Sequence, residues 1–210
     1  MTQINVPTEF DELIDADLED LQALSREVLY SGQVGSFQRH PLGFVFATLF
    51  ESGGRRVRLH VWPSCTQVDN AFSIHDHMFS FVSRTIIGAV FHTEYAVSAS
   101  EFPAEHALYD VGYDGRNSIL RKTATYVRLT EGRKRVVYPG NSYQLDHLTF
   151  HATKSVSDSG SITLAVMDRT SSASPHVVGP AIGAESIAFE RAPLDTASIA
   201  SAASLLFPKS

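Results

Sequence analysis

Between residues 42 and 168 the chain is a succession of short segments in which side chains alternate with a period of two, each closed by residues that turn the backbone. Across 42–50, for example, Phe44, Phe46, Thr48 and Phe50 alternate with Val45, Ala47 and Leu49. That period sends neighbouring side chains to opposite faces, as in a strand, whereas a packing helix shows one apolar stripe. Further strands are expected over 56–62, 79–92, 123–130, 135–138, 150–156 and 161–168. Turn chemistry separates them at Ser52-Gly53-Gly54, Asp114-Gly115, Glu131-Gly132, Pro139-Gly140-Asn141 and Ser157-Asp158-Ser159-Gly160. Many short strands with hardly any helix between them point to an all-β, antiparallel barrel or sandwich.

The two ends read differently. Leu13, Ile14, Leu18, Leu21, Leu24, Val28 and Leu29 recur largely at steps of three and four, so 8–30 is expected to be an N-terminal α-helix that packs on the strands. Thr8 and Asp11 resemble a capping box, and Glu9, Asp11, Glu12, Asp15 and Asp17 suit the positive end of a helix dipole. Beyond Thr170 the chain is rich in Ser, Ala and Pro, and 171–210 is expected to be a loop-like extension with one short helix near 198–206. No repeat or second domain is legible, so 1–210 is expected to be one domain with its barrel over 34–170. The 17 Lys+Arg against 23 Asp+Glu leave a formal charge of −6, which provides no basic field for a phosphate backbone, and nucleic acid is not an expected partner. No segment approaches the roughly 18 uninterrupted apolar residues of a membrane span, and the first residues do not read as a signal peptide. The single cysteine, Cys65, excludes an intrachain disulfide and a Cys-rich zinc site and suits a reducing compartment, so the expected location is cytoplasmic. Whether its thiol is reactive depends on exposure.

Three of the nine histidines carry the chemistry. His75 and His77 flank Asp76 in Ser73-Ile74-His75-Asp76-His77. On a strand, residues two apart share a face, so the two imidazoles make half of a metal site, lacking only a ligand from a neighbouring strand. The rival reading is a chance pair on an exposed loop.

The surroundings of the pair resemble the cupin superfamily. With His75 and His77 on the paired histidines of the first cupin motif, Gly88 falls on its closing glycine and Phe81 where a glutamate ligand stands. Gly140 then opens the second motif and His151 falls on its histidine. Asp69, Asp146, Leu148 and Ser155 depart from the motifs, standing in place of glycine, proline, glycine and asparagine. The resemblance spans 56–168. It implies an antiparallel jelly-roll barrel with a metal on His75, His77 and His151. A cupin without the glutamate looks like cysteine dioxygenase and related thiol dioxygenases, which Val61-Trp62 and Phe150-His151 also echo. That likeness implies Fe(II), with Zn, Ni or Mn as other candidate ions, and O₂ as co-substrate. The Ser-x-His-x-Tyr triad of that branch is not matched by Thr163-Leu164-Ala165-Val166-Met167, and its crosslinking cysteine has no counterpart, so free cysteine is not the expected substrate.

Other polar residues leave alternatives open. Arg58, His60 and Trp62 share one face of their strand, opposite Val57, Leu59 and Val61. If that face points inward, Arg58 could clamp a substrate carboxylate; if outward, it belongs to a solvated edge with Arg55 and Arg56. By parity Phe79, Phe81 and Ser83 face the way His77 does, so Phe81 is expected as an apolar wall beside the metal. Tyr126 and Arg128 share a face that could reach the cavity mouth. His92 and Glu94 read either as a fourth ligand or base, or as structural residues; Asp146 could orient a ligand histidine. The expected function is oxidation of a small organic substrate by O₂. Its rivals are a non-redox metal-dependent lyase or isomerase, and a small-molecule-binding barrel whose histidines are structural. Pairing of barrels through edge strands would give a homodimer.

Overall fold

A computed structural model of the protein describes residues 10–31, 37–64, 70–169 and 172–208. The capping residue Thr8, Cys65 and Asp69 lie outside them. The strands are β1 (Gln38–Arg39), β2 (Val45–Ser52), β3 (Arg55–Trp62), β4 (Phe79–Ile87), β5 (Val90–Ser100), β6 (His106–Asp114), β7 (Asn117–Val137), β8 (Ser142–Leu145), β9 (Phe150–Ser155), β10 (Ser161–Arg169), β11 (His176–Pro180) and β12 (Ser186–Glu190). Helices α1 (Phe10–Asp15) and α2 (Leu18–Ser31) precede them and α3 (Thr196–Leu206) follows. One sheet has the order β1-β2-β3-β10-β4-β8 and the other β11-β6-β7-β5-β9, with β12 on β7. Every pairing between these strands is antiparallel, as expected from the short strands and tight turns.

The first sheet resolves the question of which face is which. Val57, Leu59 and Val61 of β3 and Ile162, Leu164 and Val166 of β10 form one buried cluster with Leu13, Leu21, Val28 and Leu29 of the N-terminal helices. Ile199, Ala203 and Leu206 of α3 complete that cluster. The apolar face therefore points outward under a helical cover, and each fully buried side chain contributes about 1.5–3 kcal/mol. With that face spoken for, Arg58, His60 and Trp62 of β3 and Ala165 and Met167 of β10 are left to line the interior.

Several expectations are corrected. The single helix over 8–30 is two helices, broken at Ala16 and Asp17. The break is stabilised because Arg84 of β4 donates through Nη1 to the carbonyls of Ile14 (2.5 Å) and Ala16 (2.6 Å), satisfying helix-end acceptors that water would otherwise take. The segment 79–92 is two strands parted at Gly88, where φ is +68° and a Cβ would run into the Gly160 carbonyl oxygen. Glu131-Gly132 is not a turn but lies inside the long β7, where the register with β5 shifts between Thr93 and Tyr95. The C-terminal stretch is less loop-like than expected: β11 pairs with β6 and β12 with β7, while α3 is capped by Asp195, whose side chain accepts from the Ser198 N–H. Among the described residues no helix is long and apolar enough to cross a membrane.

Candidate metal centre

His75, His77 and His151 come together with ligand nitrogens all within 4.8 Å of one another. The route differs from the expected strand face. His75 forms isolated bridges to His151 on β9 and Val177 on β11, exchanging backbone hydrogen bonds with His151 (3.0 and 2.9 Å). His77 follows just before β4, so the segment 75–77 crosses from the second sheet to the first and carries one imidazole from each side of the gap. The His77 carbonyl accepts from the N–H of Leu148 (2.8 Å), which fixes the far end of that crossing. Leu148 itself has φ +59°, in the left-handed region, at the place where the resembled motif has glycine.

The ligand atoms are prepared electronically. His75 Nδ1 donates to the Ser73 carbonyl (2.9 Å) and His151 Nδ1 to the Thr149 carbonyl (3.1 Å). Because a carbonyl only accepts, these bonds place the proton on Nδ1 and leave Nε2 as a bare lone pair. Burial holds all three rings below their ordinary pKa; for His77 the neighbouring His75 and His151 add to that effect, and for His75 the bond to Ser73 partly offsets it. Neutral imidazole is the ligating form. The Nε2 atoms of His75 and His77 are 3.2 Å apart. Two nitrogens about 2.1 Å from one ion would lie roughly 3.0 Å apart at an octahedral angle and 3.4 Å at a tetrahedral one. The donor set and spacing therefore fit a divalent metal.

Apolar rings enclose the cluster. Phe79 stacks on His77 (centroids 4.6 Å), and Phe81, 8% exposed, meets His77 edge-on at 5.6 Å. Phe81 is thus the wall expected of it. Met167 of β10, at the end of the stretch that would hold the triad, lines the space beside Phe79. Two cavities meet at His75: one of about 520 Å³, which also opens on Asp76 and His77, and one of about 40 Å³ that reaches His151, His60, Tyr143 and Thr153.

Arg58 lines the larger cavity, with its guanidinium 4.5 Å from the Phe46 ring centroid and its buried Nε without a partner among the described residues. Burial lowers its pKa to about 10, so it remains a cation at neutral pH. Tyr126 is not among the cavity-lining residues. The register of β7 sets it opposite Ser100 and Ala107, where it packs against Phe102 (5.3 Å), and Arg128 is exposed. His92 is fully buried, held near pKa 3 by burial and by Arg135, with Nδ1 2.9 Å from Thr153 Oγ1. It sits behind His151, ring centroids 5.5 Å apart, while Glu94 pairs with Arg135 (2.8 Å). Asp146 is exposed, and its carbonyl accepts from the Thr149 N–H in the turn before β9.

Sequence reasoning missed three cavity or support residues. Asp76, 3% exposed, accepts from the backbone N–H of His176 (2.5 Å) and from its ring Nδ1 (3.1 Å), tying the ligand-bearing crossing to β11. These partners are a hundred residues apart, and the bridging of 74–76 to β11, through Asp76 N–H to the His176 carbonyl (3.0 Å) and Val178 N–H to the Ile74 carbonyl (2.8 Å), brings them together. His40, the third, lines the larger cavity stacked on Phe44 (4.2 Å) and is kept neutral by burial and by His75. Its only sequence signal is a histidine next to a proline.

Two antiparallel sheets around three converging histidines make this an all-β protein with a candidate metal centre. No family model matches the chain, and no curated protein is similar to it in sequence. Among solved structures it is similar to an RmlC-like cupin from Shewanella frigidimarina NCIMB 400, with TM-score 0.36 and 12% identity over 67% of this chain and 88% of that one. It is also similar to hydroxypropylphosphonic acid epoxidase from S. wedmorenis, with TM-score 0.37 and 10% identity over 65% of this chain and 56% of that one. A chain from the structures of the DMSP lyases RdDddP and RnDddQII gives TM-score 0.43 and 13% identity over 82% of this chain and 80% of that one.

Proposed function

We propose that the protein is a metal-dependent enzyme, an iron oxygenase that oxidises a small organic anion with O₂ at the centre formed by His75, His77 and His151. The observation that carries this reading is the donor set: three neutral imidazoles with no carboxylate among them. Such a set leaves a divalent ion its full charge and up to three open positions, enough for substrate and dioxygen side by side. Iron bound there would supply the redox chemistry that couples O₂ to an organic molecule.

The chain's own residues do the rest. Arg58 holds the anionic group of the substrate, and its burial strengthens that attraction relative to a solvated arginine. Phe79, Phe81 and Met167 exclude water beside the ligands. Asp76 and His176 hold the 75–77 crossing in place. Tyr126 takes no part in this scheme.

A second reading, a non-redox lyase or isomerase, is favoured by one observation. His40 opens on the same cavity as a neutral imidazole whose Nδ1 accepts from the Leu42 N–H (3.3 Å), which leaves its Nε2–H to polarise a substrate oxygen without redox chemistry. An oxygen electrode separates the two when small amino, carboxylic and thiol compounds are screened with protein loaded with Fe(II) or Zn(II). The oxygenase reading predicts substrate-dependent O₂ uptake with iron, absent with zinc and absent in His75→Ala. Turnover that is equal with both metals and consumes no O₂ would replace it with the lyase reading.

A further inference from the structure

The larger cavity has more shape and chemistry than a clamp for a small acid needs. Its volume is about 520 Å³. At about 30 Å³ for each water-sized group, that is room for roughly 17 non-hydrogen groups, more than twice what an amino acid the size of cysteine would fill. Its depth follows from exposure: Gly54, Glu51 and Tyr113, the last 61% exposed, stand at the mouth, and His75, Asp76 and His77 form the inner end.

The two walls are chemically unlike. From the second sheet and the loop before β4 come Phe72, Val111, Leu120, Val177 and Phe189, the flank of a buried apolar cluster. From the first sheet come Arg56 and Arg58. Arg56 is already matched by Glu51 (2.5 Å). Arg191, near the mouth, is committed to the carbonyls of Gly115 (2.9 Å) and Arg116 (3.2 Å). Arg58 has no ion-pair partner among the described residues and carries a buried, unsatisfied Nε. A charge left in that state is costly unless a ligand completes it.

We infer that the substrate is an amphiphilic organic anion, with a single acidic group at Arg58 and an apolar body of about ten carbons lying along the Phe72–Leu120–Val177 wall. This rests on the function proposed above and narrows it from any small acid to one with a long apolar body.

Calorimetric titration of metal-free protein with butanoate, hexanoate, octanoate and decanoate, and with 1-octanol as the uncharged match for octanoate, tests the inference. Affinity should rise along the acid series by about fourfold for each buried methylene. In the wild type octanol should bind at least about tenfold more weakly than octanoate, since it lacks the charged hydrogen-bond partner for Arg58. In Arg58→Met, octanoate should weaken by about tenfold or more while octanol does not. A flat chain-length series, or octanol binding as tightly as octanoate to the wild type, would overturn the inference. The wild-type comparison alone decides the matter if Arg58→Met does not fold. Iron content is measured separately: chain-length-dependent binding without an iron site would leave the anion pocket standing and remove the oxygenase, and an iron site with a flat series would do the reverse.

Discussion

Replacing His60 with Phe should flatten the acid side of the protein's stability curve. His60 lies inside the barrel, its ring 4.9 Å from Phe44, and burial together with Arg58 holds its pKa at about 3. In the unfolded chain the same group titrates near 6.5. Below about pH 6.5 the unfolded state therefore takes up a proton that the folded state refuses, at a cost of about 1.4 kcal/mol per pH unit. The sign is that of a depressed folded-state pKa: this contribution to stability is whole above about pH 6.5 and is lost as pH falls towards 3. At pH 5 the loss from this one residue comes to about 2 kcal/mol. Phenylalanine cannot titrate, it removes a buried Nε2 that has no hydrogen-bond partner, and the adjacent cavity of about 40 Å³ accepts the larger ring. Urea unfolding of metal-free wild type and His60→Phe, at about pH 7.5 and about pH 5, measures the difference. The wild type should lose about 2 kcal/mol more than the variant between the two conditions. His92, also held near 3, is present in both proteins and cancels. Equal losses within about 0.5 kcal/mol would refute the assignment of a neutral, desolvated His60.

Three further outcomes follow from local geometry. Asp76→Asn removes the carboxylate that accepts both His176 hydrogen bonds, and chelator competition with Co(II) should show affinity reduced by about 10–100-fold; unchanged affinity would mean that Asp76 does not position the site. Leu148→Gly relieves a left-handed residue that is 39% exposed and should raise the unfolding midpoint, with a gain on the order of 0.5–1 kcal/mol; a loss would show that the side chain matters more than the strain. Gly88→Ala drives a Cβ into the Gly160 carbonyl at φ +68° and should destabilise the protein by at least about 2 kcal/mol, read by the same urea titration.

The strands carrying the site were legible because β3 alternates with a period of two and β2, β4, β9 and β10 are short runs rich in β-branched and aromatic residues, most of them closed by turn residues. The elements that escaped owe their form to partners distant in sequence. β11 and β12 are short strands in a Ser/Pro-rich stretch and exist by pairing with β6 and β7. The long β7 runs through Glu131-Gly132 because it takes up one extra residue there, Gly132 and Arg133 standing opposite Glu94 of β5, and this pairing overrides a local turn preference. The helix break at Ala16 depends on an arginine some seventy residues away. The same division holds in the site. His75, His77 and His151 could be named from spacing, and the inward face of β3 followed once the helices were seen to cover its apolar side. Alternation could say that Tyr126 faces with Arg128, but not which end of a 21-residue strand lies over the cavity. His176 could not be foreseen at all, since nothing near it in sequence points to Asp76.

The central claim is that His75, His77 and His151 hold one metal ion. Elemental analysis of protein prepared without oxygen and supplied with iron, together with His75→Ala and His151→Ala, tests it most directly. Close to one iron per wild-type chain is expected, with loss of that iron in both variants and folding confirmed by circular dichroism. A folded wild type without metal, or variants that keep their full complement, would contradict it.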